Sequence, residues 1–267
     1  MSDDTAAGPT VKLPSDGVAG GVIHAGDLQL WIDTMRSIVN ETRVHFCDEG
    51  WVASVTDPAN VAMLHDITLA SQTFESYNSP GEVTIGVNLE ALDERLGPAS
   101  ADDLVKFNLD MESQKLHLRI RNIVQSVALI DPDAIRQEPD EPELGLPNKL
   151  VIEGQDFAEA VDVTDAIGDH MTIEGQPNDR RTIFVGEGDT DSATVGFGDT
   201  ETIDASVGDS TQSIYSTEYL DAMTDPIPDD TEVSIRFGDE LPLRYSYDAL
   251  DGALSVTGML APRVNSD

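Results

Sequence analysis

The sequence predicts an α+β protein: a duplicated two-domain fold in which each copy sets two helices on one face of a sheet. Three observations predict it. Short runs that alternate apolar and polar residues dominate the chain, which is the pattern of half-buried strands. Four segments instead space their apolar residues for a helix. The same order of elements then occurs twice, too far apart for a solenoid repeat and right for a duplicated domain.

Residues 1–20, with Pro9 and Pro14 among small polar residues, read as a flexible leader. From His24 the pattern changes. Leu28, Trp31, Ile32, Met35 and Val39 form the apolar face of a first helix, with Asp27 as its expected N-cap. Val44, Phe46 and the run 51–55 read as strands around an Asp48–Glu49–Gly50 turn, and 61–69 as a further strand. Residues 83–87 form a strand that leads into a second helix at 88–96, closed by Gly97–Pro98. Three strands follow, at 104–109, 116–120 and 123–130.

Residues 131–148 break this order. DPDAIRQEPDEPELGLPN holds four prolines, six acids and one basic residue, the composition of an extended linker. The order then restarts. Strands are expected at 150–152, 171–173, 183–185, 193–197, 213–215, 233–237, 243–247 and 254–260. Helices are expected at 156–167 and at 217–223, the latter ended by Asp225–Pro226. Asp27–Leu28 and Asp156–Phe157 open the first helices of the two halves, 129 positions apart. Four regions result: a leader at 1–20, a domain at 21–130, a connecting loop at 131–148 and a domain at 149–267.

Charge sets the next limit. The 267 residues carry 51 acids against 15 bases, a formal charge of −36, while hydrophobic residues still make up 39%. An acid excess of this size suits disorder, but here the acids sit within segments that alternate apolar and polar. Lys12, Lys106, Lys115 and Lys149 are the only lysines, against eleven arginines. A folded, acid-rich and lysine-poor chain reads as adapted to molar salt, where the Debye length falls to about 3 Å and self-repulsion is screened. One cysteine, Cys47, excludes an internal disulfide framework. The N-terminus lacks a basic start and an apolar stretch, and no run approaches a membrane span, so a soluble, cytoplasmic protein without membrane partners is expected.

No constellation for catalysis emerges. GxGxxG, Walker A, HExxH and GxSxG motifs are absent, and His24, His45, His65, His117 and His170 are scattered. Glu187, Asp189 and Asp191 have the spacing that opens a calcium loop. Ser192 stands where its glycine belongs and Gly198 where its closing acid belongs, so that reading fails. The residues point to no enzyme, metal or cofactor.

Several stretches resemble one family. DPANVAML at 57–64, FESYNSPGEVTIGVNLEAL at 74–92, VALIDPDAIRQEPD at 127–140, LGLP at 144–147 and MLAPRV at 259–264 are similar to the proliferating cell nuclear antigen family. These are the DNA sliding clamps of archaea and eukaryotes, and the likeness is closest to haloarchaeal members. STEYLDAM at 216–223 and PLRYSY at 242–247 fall where that family has matching segments. The resemblance runs from about Gly21 to the C-terminus.

It implies a homotrimeric ring with sheets outside and four helices lining a hole for duplex DNA. Such a ring is a processivity factor for DNA polymerase, placed on DNA by a clamp loader and shared with other enzymes of replication and repair. By the same resemblance, subunits join through the edge strands bearing Ile123, Gln125 and Val127 and those bearing Ala193, Val195 and Phe197. Partners carry a peptide with a glutamine, an aliphatic and two aromatics on one turn. Its implied pocket comprises Asn60, Val61, Met63, Leu144, Leu146, Pro242, Ala261 and Pro262, with Met259 where the family has a tyrosine. Arg36 and Arg95 are the implied DNA-facing cations. The alternative is a divergent clamp-fold adaptor that binds replication proteins without encircling DNA.

Overall fold

The computed structural model describes Leu13 and residues 17–79, 81–137, 139 and 142–263. Most of the expected leader, and Val264 of the MLAPRV stretch, therefore lie outside the described residues. The first half runs β1 (Ala19–His24), α1 (Ala25–Arg36), β2 (Glu41–Cys47), β3 (Gly50–Thr56), β4 (Ala62–Ala70), β5 (Ser76–Asn78), β6 (Val83–Asn88), α2 (Leu89–Leu96), β7 (Leu104–Asp110), β8 (Lys115–Ile120) and β9 (Ile123–Ala128). The second repeats it: β10 (Asn148–Glu153), α3 (Gly154–Asp165), β11 (His170–Gln176), β12 (Arg181–Glu187), β13 (Ser192–Phe197), β14 (Asp204–Val207), β15 (Thr211–Ser216), α4 (Thr217–Thr224), β16 (Glu232–Phe237), β17 (Leu243–Ala249) and β18 (Leu254–Leu260). In each half a helix follows the first and the sixth of nine strands.

Local rules explain the helices. Asn88 caps α2 by accepting from the Ala91 N–H at 2.7 Å, and Leu89, Leu92 and Leu96 bury one face. α3 buries Phe157, Ala160, Val161 and Thr164, and α4 buries Leu220, Met223 and Thr224. Asp27 is not a cap. α1 begins two residues earlier, at Ala25, and Asp27 lies in its first turn, where a carboxylate still suits the positive end of the helix dipole.

The chain separates into two compact units: residues 1–32, 41–52 and 70–136, and residues 33–40, 53–69 and 137–267. In the first unit, the order of one sheet is β5–β1–β7–β8–β9, all antiparallel. β2 pairs separately with β3 and β6. An aromatic cluster sits within this unit's aliphatic core. Trp51 meets Trp31, Phe46, Phe74 and Phe107 at ring-centroid distances of 4.7 to 5.4 Å. Burying one such side chain stabilises the unit by about 1.5–3 kcal/mol.

In the second unit β10 pairs with β14 and β16, and the ladder continues through β17 and β18 to β4. A four-stranded sheet has the order β13–β12–β11–β15. Phe157, Phe184, Phe197, Tyr245 and Tyr247 supply the rings of this unit. The β4–β18 pairing draws residues 53–69 into this unit. Gly258 admits that arrangement because a Cβ there would meet the Tyr245 ring at 2.2 Å.

Three strands were not expected from the sequence: β1, β5 and β14. Ala19 and Gly20 of β1 fall in the expected leader, yet they and Gly21 lie in a strand hydrogen-bonded on both sides. A Cβ on Gly21 would come within 2.8 Å of the Phe107 ring, so glycine reflects close packing rather than flexibility. The connecting loop is more structured than its composition suggests. Pro132–Ala134 forms a 3-10 turn, and Arg43 donates to the carbonyls of Pro132 and Ile135 at 2.8 and 2.6 Å. Asn148, placed at the loop's end, instead opens β10 and is fully buried. Its amide donates to the Asp209 carbonyl and Thr211 hydroxyl and accepts from the Gly208 and Asp209 N–H groups. No helix among the described residues is long and apolar enough to cross a membrane.

Candidate partner-docking site, edge strands and charged helices

The candidate docking residues come mostly from one end of a three-strand ladder. β4 pairs with β18 and places Met63 opposite Met259, while the Ala261 N–H donates to the Val61 carbonyl at 2.8 Å. β17 pairs Leu243 with Leu260, so Pro242 falls beside Ala261 and Pro262. Asn60, Val61, Met63, Pro242, Ala261 and Pro262 therefore share one strand end, with Asn60 exposed and the other five half-buried. Leu144 and Leu146 are also half-buried and lead into Pro147, which packs close to Gly238. No hydrogen bond ties either leucine to the strand end among the described residues.

The turn that carries Asn60 is built by a residue outside the implied pocket. Asp57 is 3% exposed. Its Oδ1 accepts from the N–H groups of Val61 and Ala62 at 2.6 and 2.7 Å, and its Oδ2 from that of Ala59 at 2.8 Å. The Tyr219 hydroxyl of α4 donates to Oδ2 at 2.9 Å. Burial pushes the Asp57 carboxyl up. The backbone donors and Tyr219 outweigh it and hold the group below the ordinary aspartate value. Asn60 takes φ 57°, a left-handed position that asparagine tolerates. An aspartate before a proline is a turn signal in sequence, but nothing in the sequence joins it to a tyrosine 162 positions away.

Among the described residues six strands lie at sheet edges, β5, β6, β9, β13, β14 and β15, and the implied interface residues fall on two of them, β9 and β13. On β9, Ile123 is 37% exposed, Gln125 donates through Nε2 to the Arg95 carbonyl at 2.9 Å, and Val127 is buried. On β13, Ala193 and Val195 are half-buried, while Phe197 is buried against Phe184. Beside β13 lies an open groove of about 370 Å³, lined by Val163, Val195, Gly196 and Phe197 together with the acids Asp156, Glu159 and Glu201. Cations gather near the other edge, where Lys115 and Arg119 flank β9 on β8, with Arg121 in the hairpin and Arg95 at the end of α2.

The helices differ in charge between the halves. Arg36 closes α1 and lies 3.8 Å from Asp33, while Arg95 lies 3.4 Å from Glu94. α3 and α4 carry no basic residue. Burial, then the neighbouring Asp162, Asp165 and Asp225, raise the Asp221 carboxyl above its ordinary value, the signature of carboxylates crowded together. No group of three or more His, Cys, Asp or Glu among the described residues is placed to hold a metal ion.

This arrangement has close counterparts. The family model described as proliferating cell nuclear antigen, N-terminal domain, matches residues 23–130. The DNA polymerase sliding clamps of Natronomonas pharaonis and Halobacterium salinarum are each 39% identical over 246 residues, covering 92% of this chain and 98% of theirs. The proliferating cell nuclear antigen of A. fulgidus, solved with the C-terminal region of FEN-1 bound, matches with a TM-score of 0.86 at 31% identity, covering 93% of this chain and 100% of that one. That of Thermococcus kodakaraensis shares the fold with a TM-score of 0.82 at 24% identity. With this identity sustained over nearly its whole length, the chain belongs to the proliferating cell nuclear antigen family of DNA sliding clamps.

Proposed function

We propose that the chain is a DNA sliding clamp: a ring-shaped processivity factor that encircles duplex DNA and docks DNA polymerase and other replication and repair enzymes. It acts by topology and not by catalysis. It associates with itself and with DNA, and a clamp loader places it.

The single observation that carries the assembly is the internal repeat. β18 and β4 pair within the chain. In the order of elements β9 holds the place of β18, and β13 the place of β4. Both of those equivalents are sheet edges, with backbone amides and carbonyls that a strand from another subunit would satisfy. β9 of one subunit joined to β13 of the next repeats the internal joint, a head-to-tail contact that closes into a ring. We assign three subunits to that ring. The groove beside β13 would receive Ile123, and its carboxylates would face the cations around β9. DNA in the hole would be held by enclosure, with bound cations screening α3 and α4.

The docking end of β4, β17 and β18 would receive partner peptides, as the A. fulgidus protein receives the C-terminal region of FEN-1. Aromatic anchors in a half-buried apolar socket carry most of the energy at such sites. Leu146→Asp should abolish binding of that peptide in a calorimetric titration and leave the oligomeric mass unchanged. Retained binding would place the peptide elsewhere.

The clamp reading is tested by loading labelled protein on nicked circular DNA and then linearising it. Retention on circles and loss on linear DNA is expected. Equal retention on both would favour the adaptor reading, for which the acid-only α3 and α4 are the one supporting observation.

A further inference from the structure

The docking end of the ladder is held from behind by one short segment, residues 213–219. Ser213 donates from its hydroxyl to the Gly238 carbonyl at 2.8 Å, and Tyr215 to the Leu241 carbonyl at 2.7 Å, next to Pro242. The Ile214 carbonyl accepts from the Arg263 N–H at 2.7 Å, next to Pro262. Tyr219 reaches Asp57 and through it the turn bearing Asn60 and Val61. Three pieces of the docking site thus hang on the junction between β15 and α4.

The Tyr219–Asp57 bond differs from the rest. The Asp57 carboxylate closes its own turn through three backbone N–H groups. Those bonds keep the turn folded, but they do not say where it points. Tyr219 comes from outside the turn and shares Oδ2 with Ala59, so it fixes the carboxylate, and with it the turn, against α4. Charge-assisted hydrogen bonds are the strong ones, and a buried carboxylate that loses a donor must relax towards another.

We propose that Asp57 and Tyr219 are positioning residues for partner docking: Tyr219 orients the Asp57 carboxylate, which holds residues 59–62 so that Asn60, Val61 and Met63 face the peptide. The proposal rests on the docking reading above. It also makes α4, one of the helices assigned to the hole, a direct support of the docking surface.

The test is a double-mutant cycle on the affinity of the full-length protein for the FEN-1 C-terminal peptide, titrated in molar KCl. Tyr219→Phe should weaken binding about tenfold, a difference of about 1.4 kcal/mol. Asp57→Asn should weaken it at least as much. In the Asp57→Asn background the Tyr219 change should add little, because the carboxylate charge that makes its bond strong is already gone. Amide exchange at Ala59, Val61 and Ala62 should quicken in Tyr219→Phe. Tyr77→Phe, which removes a tyrosine hydroxyl from the first unit, should leave the affinity as it was. Wild-type affinity in Tyr219→Phe, or full additivity in the cycle, overturns the proposal. If Leu146→Asp also retains the peptide, the docking reading itself has failed. If Leu146→Asp abolishes binding while Tyr219→Phe does not alter it, only the positioning role has failed.

Discussion

The two halves follow one order of elements with different materials. The first packs Trp31, Trp51, Phe74 and Phe107 into an aromatic cluster and carries the cations around β9. The second relies on Phe157, Phe184 and Tyr245, and its helices hold only acids. Their edges at β9 and β13 differ in the same sense, one exposing Ile123 near arginines, the other opening a groove lined in part by carboxylates. The difference teaches that a backbone pattern tolerates wide changes in side chains so long as the alternation of buried and exposed positions survives.

The largest effect should come from breaking one core and not the other. Trp51→Ala should cost about 3–5 kcal/mol. Denaturant unfolding in molar KCl should show whether the second unit melts with the first. A single shared transition would mean that the halves, though built differently, are energetically one. Next, Ile123→Asp places a carboxylate on the exposed position of the cation-rich edge, where the acid-lined groove would meet it. Light scattering in molar KCl should then find subunits in place of the ring. An unchanged mass would show that the groove beside β13 is not where β9 docks.

Salt should sharpen the contrast between edges and helices. As KCl falls from 1 M to 0.1 M the Debye length grows from about 3 Å to about 10 Å. Repulsion among chains of charge −36 then outweighs the few cations near β9. Sedimentation should show rings giving way to smaller species, and a ring persisting at 0.1 M would assign the greater weight to the edge pairs.

A smaller effect belongs to Asp57. Its folded value lies below the unfolded one, so the stability it lends is present above the unfolded aspartate range and is lost as pH falls through the folded value. Asp57→Asn should therefore flatten the acid limb of the second unit's stability without altering its neutral plateau's dependence on pH. A limb unchanged by Asp57→Asn would assign the acid sensitivity to other carboxylates. The smallest effect is expected at Arg36, where Arg36→Gln should change the salt slope of DNA contact by about 0.9 at most. A larger change would mean that the first half holds DNA by charge after all.

Much of this was legible in the chain. The helix at α2 follows from Asn88, the leucines at 89, 92 and 96, and Gly97–Pro98, all local signals. The three strands that escaped reading lack such signals. β1 has glycines where the Phe107 ring presses on the backbone, and β5 and β14 are too short to show alternation. Six of the eight candidate docking residues come to one place only through the β4–β18–β17 pairing, which joins segments far apart in sequence.

By itself the sequence determined the α+β class, the duplication and the acid-rich surface, because alternation, caps and charge act between near neighbours or through simple counts. Tertiary structure alone decided which edges stay free, that Asn148 is a buried anchor and not the end of a loose linker, and that Tyr219 reaches Asp57. Those depend on strand register and on side chains meeting across long loops, and no periodicity along the chain records where a hydroxyl will find its carboxylate.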